Sequence, residues 1–338
     1  MWRREMSWVF VFVAMLVLAM GAPPVFAQNV LQAKKVDTGP KLDGVVDSAW
    51  GQAKPLKVRV MGGVNLPGGG TEVTLQSLYT TDTIYFLVQY KDPTMSVRRG
   101  PFQKQADGSW IKLKDPNDKG GDNNLYYEDK FGMIWAIKSP TFEQAGCFAG
   151  CHAGEAGKPY GNKYLPAGEL ADMWHLKGVR TGPVGQIDDQ YLDDTKYDKE
   201  KSPNAGRKND KKDAGGYVDN TLVAGKPQWA LPGNKAAGTY WILDTEKVPF
   251  DDSKYKAGDE VPGIIIAPFT GDRGDISLAQ KWESGVWTYE FSRNLRTGSP
   301  TDVQFEDLKR KYAFGVAVFE NAQVRHAFSA GVLHLVFE

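Results

Sequence analysis

Alternation with a period of two constrains this chain more than any other feature. Val73, Leu75, Ser77 and Tyr79 alternate with polar neighbours, as do Ile84, Phe86, Val88 and Tyr90, and Thr81-Asp82 lies between the two runs. Successive strand side chains point to opposite faces, so the pattern predicts an antiparallel hairpin with one buried face. Residues 126–137 predict a further strand, with Phe131, Met133 and Trp135 on its core face. Residues 240–243, 263–267, 279–282 and 286–293 also read as strands, the last two joined by a Glu283-Ser284-Gly285 turn. Residues 312–319 and 327–337 close the chain as an apolar pair. Strands outnumber helices and turn residues recur at short spacing, which predicts a mostly β, antiparallel sandwich.

The mature chain reads as one domain, residues 28–338, interrupted at about 139–228 by an irregular, partly helical insertion. A Lys/Asp-rich patch at 193–213 within it reads as a solvated loop. Ahead of the domain, Arg3 and Arg4 precede an apolar run from Trp8 to Met20, which Gly21, Pro23 and Pro24 break. Val25-Phe26-Ala27 offers a cleavage site near Ala27, so residues 1–27 read as a signal peptide. The apolar run is short of the roughly 20 residues that span a bilayer, an uncleaved anchor being the alternative. An exported, periplasmic protein with no membrane span after cleavage is expected. Lys and Arg total 41 and Asp and Glu total 41, a balance that points away from nucleic acid and anionic membrane partners.

The two cysteines of the chain stand in Cys147-Phe148-Ala149-Gly150-Cys151-His152. Cys-x-x-Cys-His is the attachment signature of c-type haem, each thiol adding to a vinyl group while the imidazole ligates iron. Here three residues separate the cysteines, and small Ala149 and Gly150 leave room for the extra one. One covalent haem c is the expected cofactor, with Cys147 and Cys151 as attachment points and His152 as proximal iron ligand. A Cys147–Cys151 disulfide, a zinc site and a redox dithiol are the competing readings. Zinc wants four ligands, and only four histidines exist in the chain.

Leu42-Asp43-Gly44 through Ala49-Trp50 resembles the opening of DOMON-like and family 9 carbohydrate-binding sandwiches. Asp172-Met173-Trp174-His175-Leu176-Lys177-Gly178-Val179-Arg180, Pro183-Val184-Gly185 and Asp188-Asp189-Gln190 are similar to the ethylbenzene-dehydrogenase-related haem-binding family. Asp92-Pro93-Thr94, Glu128-Asp129-Lys130 and Ala317-Val318-Phe319-Glu320-Asn321 fit the same pattern. The resemblance implies a sandwich that carries haem and moves electrons, as the haem-bearing gamma subunit of a molybdenum oxidoreductase or as a free-standing cytochrome. Gamma subunits of that family hold haem b through a methionine and a lysine. Cys147, Cys151 and His152 depart from this and imply a c-type branch.

His175 is the leading candidate for the sixth iron position, because it lies in the stretch that resembles the family's haem contacts. Met95 is the alternative, and Met173 and Lys177 flank His175. Trp174, Lys177 and Arg180 are candidate haem contacts, with Tyr160; ordinary packing and a surface ion pair explain such residues equally well. His326 and His334 read as core or surface histidines. The expected function is one-electron transfer to redox partner proteins, among them a molybdenum catalytic subunit and an iron-sulfur subunit. A ligand-binding or carbohydrate-binding module is the alternative, since tryptophans stack on sugar rings, although their strand positions fit core packing. A haem enzyme with an open iron position is the third reading.

Overall fold

The computed structural model describes residues 29–119, 121–148, 151–152, 161 and 163–338. The leader expected at 1–27 lies outside them, as do Ala149, Gly150 and Tyr160. Thirteen strands share one sheet. They are β1 (Val30–Lys35), β2 (Leu56–Met61), β3 (Gly70–Tyr79), β4 (Thr83–Lys91), β5 (Lys130–Lys138), β6 (Leu170–Lys177), β7 (Asp188–Leu192), β8 (Arg207–Asn209), β9 (Ser277–Glu283), β10 (Val286–Asn294), β11 (Tyr312–Phe319), β12 (Ala327–Ser329) and β13 (Leu333–Phe337). Their order is β8-β7-β6-β5-β11-β12-β2-β3-β4-β10-β9, and β1 and β13 bridge β3 to β11. The sheet folds on itself, so that the β8-to-β11 half packs on the β2-to-β9 half. Across the interface Phe86 of β4 meets Trp135 of β5 at 5.8 Å and Trp174 of β6 at 5.7 Å between ring centroids. The expected antiparallel sandwich is what forms.

Local chemistry explains the pairings. β3 and β4 pair with Tyr79 opposite Ile84. The β9–β10 hairpin turns on Ser284 and Gly285, whose φ angles of 52° and 78° suit the two-residue turn that matches strand twist. Near the start, Asp47 caps a 3-10 turn, Ser48–Gln52, by accepting from the Ala49 amide. That turn delivers Trp50, 1% exposed, whose indole N–H donates to buried Glu290 at 2.7 Å. The Gly44 amide donates to the same carboxylate at 2.7 Å, which ties the opening segment to β10.

Two features depart from the sequence reading. Pairing in the main sheet is antiparallel except at β1, which lies parallel to both β13 and β3, and outside it Ile242–Leu243 lies parallel to Ile264–Thr270. The interval 139–228 is less irregular than expected, because β6 and β7 within it extend the main sheet directly from β5. Its α-helix, α1 (Pro140–Ala145), is short. Buried acids inside those strands (Asp172, Asp188 and Asp189) hide them from a hydrophobic pattern. Among the described residues no tryptophan is exposed, and none of the helices is long and apolar enough to cross a membrane.

Candidate functional site

Alternation along β6 sorts the candidate residues. Trp174 and Leu176 point into the sandwich core, whereas Met173 and His175 project from the opposite face into a cavity of about 850 Å³. Gly132 of β5 sits across from His175 on one side and Ala317 of β11 on the other. Gly132, Gly315 and Ala317 therefore leave the sheet bare between larger neighbours, and this is what opens the hollow. A Cβ at Gly132 would meet nothing nearer than 3.9 Å, so the missing side chain is space given to the cavity. At Gly315 a Cβ would meet Cys147 Sγ at 2.4 Å, so this glycine is what lets the thiol approach the sheet.

The roof comes from two segments distant in sequence. One comprises Cys147, Phe148, Cys151 and His152, following α1, whose Ser139 cap accepts from the Phe142 amide. The His152 amide donates to the Cys147 carbonyl at 3.1 Å and closes the loop. The other is the β11–β12 connection, which carries His326. The His152 ring stacks on Phe328 at 4.0 Å, and its Nε2 lies 3.1 Å from His326 Nε2. His326 Nδ1 is 2.8 Å from the Val324 carbonyl; as donor there it leaves Nε2 with a lone pair. Lys163, Arg207 and Arg325 add positive charge to an otherwise largely apolar lining.

All three imidazoles at the cavity are held neutral. Burial lowers His152; burial and then His152 push His326 down to about 3. His175 lies well below the usual imidazole range because it is buried, with Lys177 and Lys130 adding like charge. Its Nδ1 meets Gln190 Oε1 at 3.1 Å, while its buried Nε2 has no partner. A neutral imidazole fixed at one nitrogen and bare at the other is the form that binds metal. Burial also raises both thiols, so neither cysteine is primed as a redox nucleophile.

Acidification tests the His175 environment. An unfolded histidine takes a proton near pH 6.5 and buried His175 does not, so its share of stability is lost as pH falls below that value. His175→Gln is expected to flatten urea-midpoint loss between pH 7 and 5; an unchanged slope would refute the assignment.

The other candidates from the sequence lie elsewhere. Met95 is 49% exposed beyond the end of β4 and does not line the cavity. Trp174 fills the core, its indole donating to Asp172 at 3.0 Å, because strand neighbours of His175 must face the other way. Lys177 is buried and paired with Asp188, and Arg180 donates to Glu128 at 2.6 Å; neither lines the cavity. His334 lies on β13, away from the site, but His326 belongs to it. Nothing in the sequence pairs His326 with His152 across 174 positions. The small residues at alternate positions of β5 and β11 were the available sign of a hollow.

A family model described as "Ethylbenzene dehydrogenase" matches residues 47–330. No curated protein sequence matches the chain. Among solved structures, a family 9 carbohydrate-binding module from Caldicellulosiruptor kristjanssonii in complex with cellotriose aligns over 91% of this chain and 94% of its own, at 10% identity and a TM-score of 0.36. Such a module from the same organism in complex with glucose aligns over 91% and 95%, at 9% identity and a TM-score of 0.35.

Proposed function

We propose that this chain, which belongs to the ethylbenzene dehydrogenase family, is an exported c-type cytochrome that passes single electrons between protein partners. The observation that carries the reading is one apolar cavity that gathers Cys147, Cys151, His152, His175 and His326. Its volume of about 850 Å³ lies in the range of cofactor sites. The donor set fits a haem: two thiols beside a histidine, a bare sheet floor, and a buried imidazole nitrogen without a partner. When bound, a haem supplies one-electron chemistry through its ferrous and ferric states. Cys147 and Cys151 would carry the thioether links, and His152 would hold the iron. His175 and His326 are the candidates for a second iron ligand, with Met173 as the thioether on the lining. Lys163 and Arg207 place positive charge on the lining, which Arg180, a candidate haem contact from the sequence, does not reach. The apolar walls exclude water and so limit the charge reorganisation that accompanies electron exchange.

The partners proposed with it are a molybdenum catalytic subunit with its iron-sulfur subunit, or soluble redox proteins in the periplasm. The test is mature protein made with haem-maturation machinery, then denatured in acid and solvent. Haem is expected to stay on the chain, and to wash off the Cys147→Ala/Cys151→Ala double variant. Haem that washes off the unaltered chain would defeat the reading. His175→Ala and His326→Ala separate the axial candidates, since only loss of a ligand turns a low-spin spectrum high-spin.

A further inference from the structure

Three acids that do not line the cavity converge at the ends of three strands. Asp92 follows β4, Asp129 precedes β5, and Glu320 follows β11. One carboxylate oxygen from each lies within 4.8 Å of the others. Asp92 and Asp129 are fully buried and Glu320 is 5% exposed. No lysine or arginine among the described residues forms an ion pair with any of the three.

Asp129 is held at both oxygens, whereas Asp92 and Glu320 are each held on one side and bare on the other. Asp129 accepts from the Ser96 amide at 2.7 Å, the Asn321 amide at 3.0 Å and the Trp287 indole at 3.2 Å. Glu320 Oε1 accepts from the Thr94 hydroxyl at 2.7 Å and the Ser96 hydroxyl at 2.8 Å. Asp92 Oδ1 accepts from the Thr94 amide at 3.2 Å. Asp92 Oδ2 and Glu320 Oε2 are buried with no donor at all. Buried carboxylate oxygens without donors are costly unless a proton or a cation meets them. Elsewhere the chain pays this cost with a cation of its own, as Arg293 does among Asp172, Asp189 and Asp302. Here it supplies none.

We propose that Asp92, Asp129 and Glu320 bind one hard divalent cation, calcium by preference, that joins the ends of β4, β5 and β11. An all-oxygen, tri-carboxylate set excludes the soft metals and suits calcium, which takes carboxylate and neutral oxygens with tolerant geometry. Thr94 and Ser96, already on Glu320, are the neutral oxygens nearest to hand.

The mature protein, stripped with a chelator, tests this. Calcium titration by calorimetry is expected to show a site that disappears in Glu320→Gln and in Asp92→Asn, so that each binds one cation fewer. Calcium at a hundredfold excess over Kd should raise Tm by about 5 °C in the unaltered chain only. In chelator, the order reverses: both variants should melt no lower than the unaltered chain, because each removes buried acid. Terbium gives a reading that needs no acidic variant. Trp287 donates to Asp129, so terbium in the site should luminesce on indole excitation, be displaced by calcium, and dim in Trp287→Phe. Absence of both heat and luminescence with calcium, magnesium, manganese and terbium would overturn the proposal. So would full stoichiometry in Glu320→Gln.

Discussion

Arg293→Met is expected to cost about 3–5 kcal/mol of folding stability at pH 7, the cost of leaving buried carboxylates uncompensated. Arg293 is 2% exposed, in β10, and its guanidinium reaches Asp172 at 2.9 Å, Asp302 at 3.5 Å and Asp189 at 3.7 Å. It also donates to the Val303 carbonyl and lies 4.7 Å from the Trp174 ring centre. Methionine keeps the packing volume and removes the charge. The acids it leaves behind are already pushed up: Asp302 to about 7, by burial first and then by Asp172. Asp189 is raised further by burial and by Asp172. The sign follows from linkage. These acids bind protons in the folded state that they release when unfolded above about pH 4, so stability falls as pH rises through the window up to about 7. Removing Arg293 raises them again and steepens that fall. Urea unfolding at pH 5 and pH 7 should show a deficit that is larger at pH 7. A loss below 1 kcal/mol, or one equal at both pH values, would mean the acids are neutralised by something other than Arg293.

That acid cluster also shows why part of the fold escaped the sequence. The hairpins of β3–β4 and β9–β10 were legible because alternation and turn chemistry agree there, as at Ser284-Gly285. The opening through Trp50 was legible by resemblance alone; its Asp47 cap and buried indole come from the structure. In β6 and β7 the core side carries Asp172 and Asp189, paired to an arginine about a hundred residues away. A period-two count scores those positions as solvent-facing and dissolves the strands into a loop. Once β6 is a strand, the fate of Trp174 follows without coordinates: it must face away from His175.

The site was legible only in its cysteine half. Cys147, Cys151 and His152 announce themselves by spacing, and the cavity gathers them. His175 joins them because β6 aims it there. His326 carries no local signal, since its partner is His152 and the contact exists only after β11 and β12 turn over the cavity. Met95 lies outside the cavity for the converse reason: a thioether near a turn looks available in sequence, yet here it is exposed and off the lining.

Filling that hollow should separate cavity from fold. Gly132→Leu is expected to cut haem loading about tenfold or more, a cost of at least about 1.4 kcal/mol in binding, while the apo-protein stays folded. Gly132 has an ordinary strand conformation, not the left-handed one that only glycine tolerates well. A Cβ there meets Ala317 Cβ and the Trp174 carbonyl at 3.9 Å, an ordinary contact, so the added side chain must extend into the cavity. There it displaces water from a largely apolar surface, and strand propensity improves on replacing glycine. Apo stability should hold or rise even as loading falls. Opposite movements are what a purely structural glycine would not give: if its bare face served packing alone, leucine would lower Tm and leave the haem-to-protein ratio of surviving protein intact. Absorbance per mole of purified protein, set beside apo Tm, reads both. A fully loaded Gly132→Leu would place the cofactor somewhere other than this cavity.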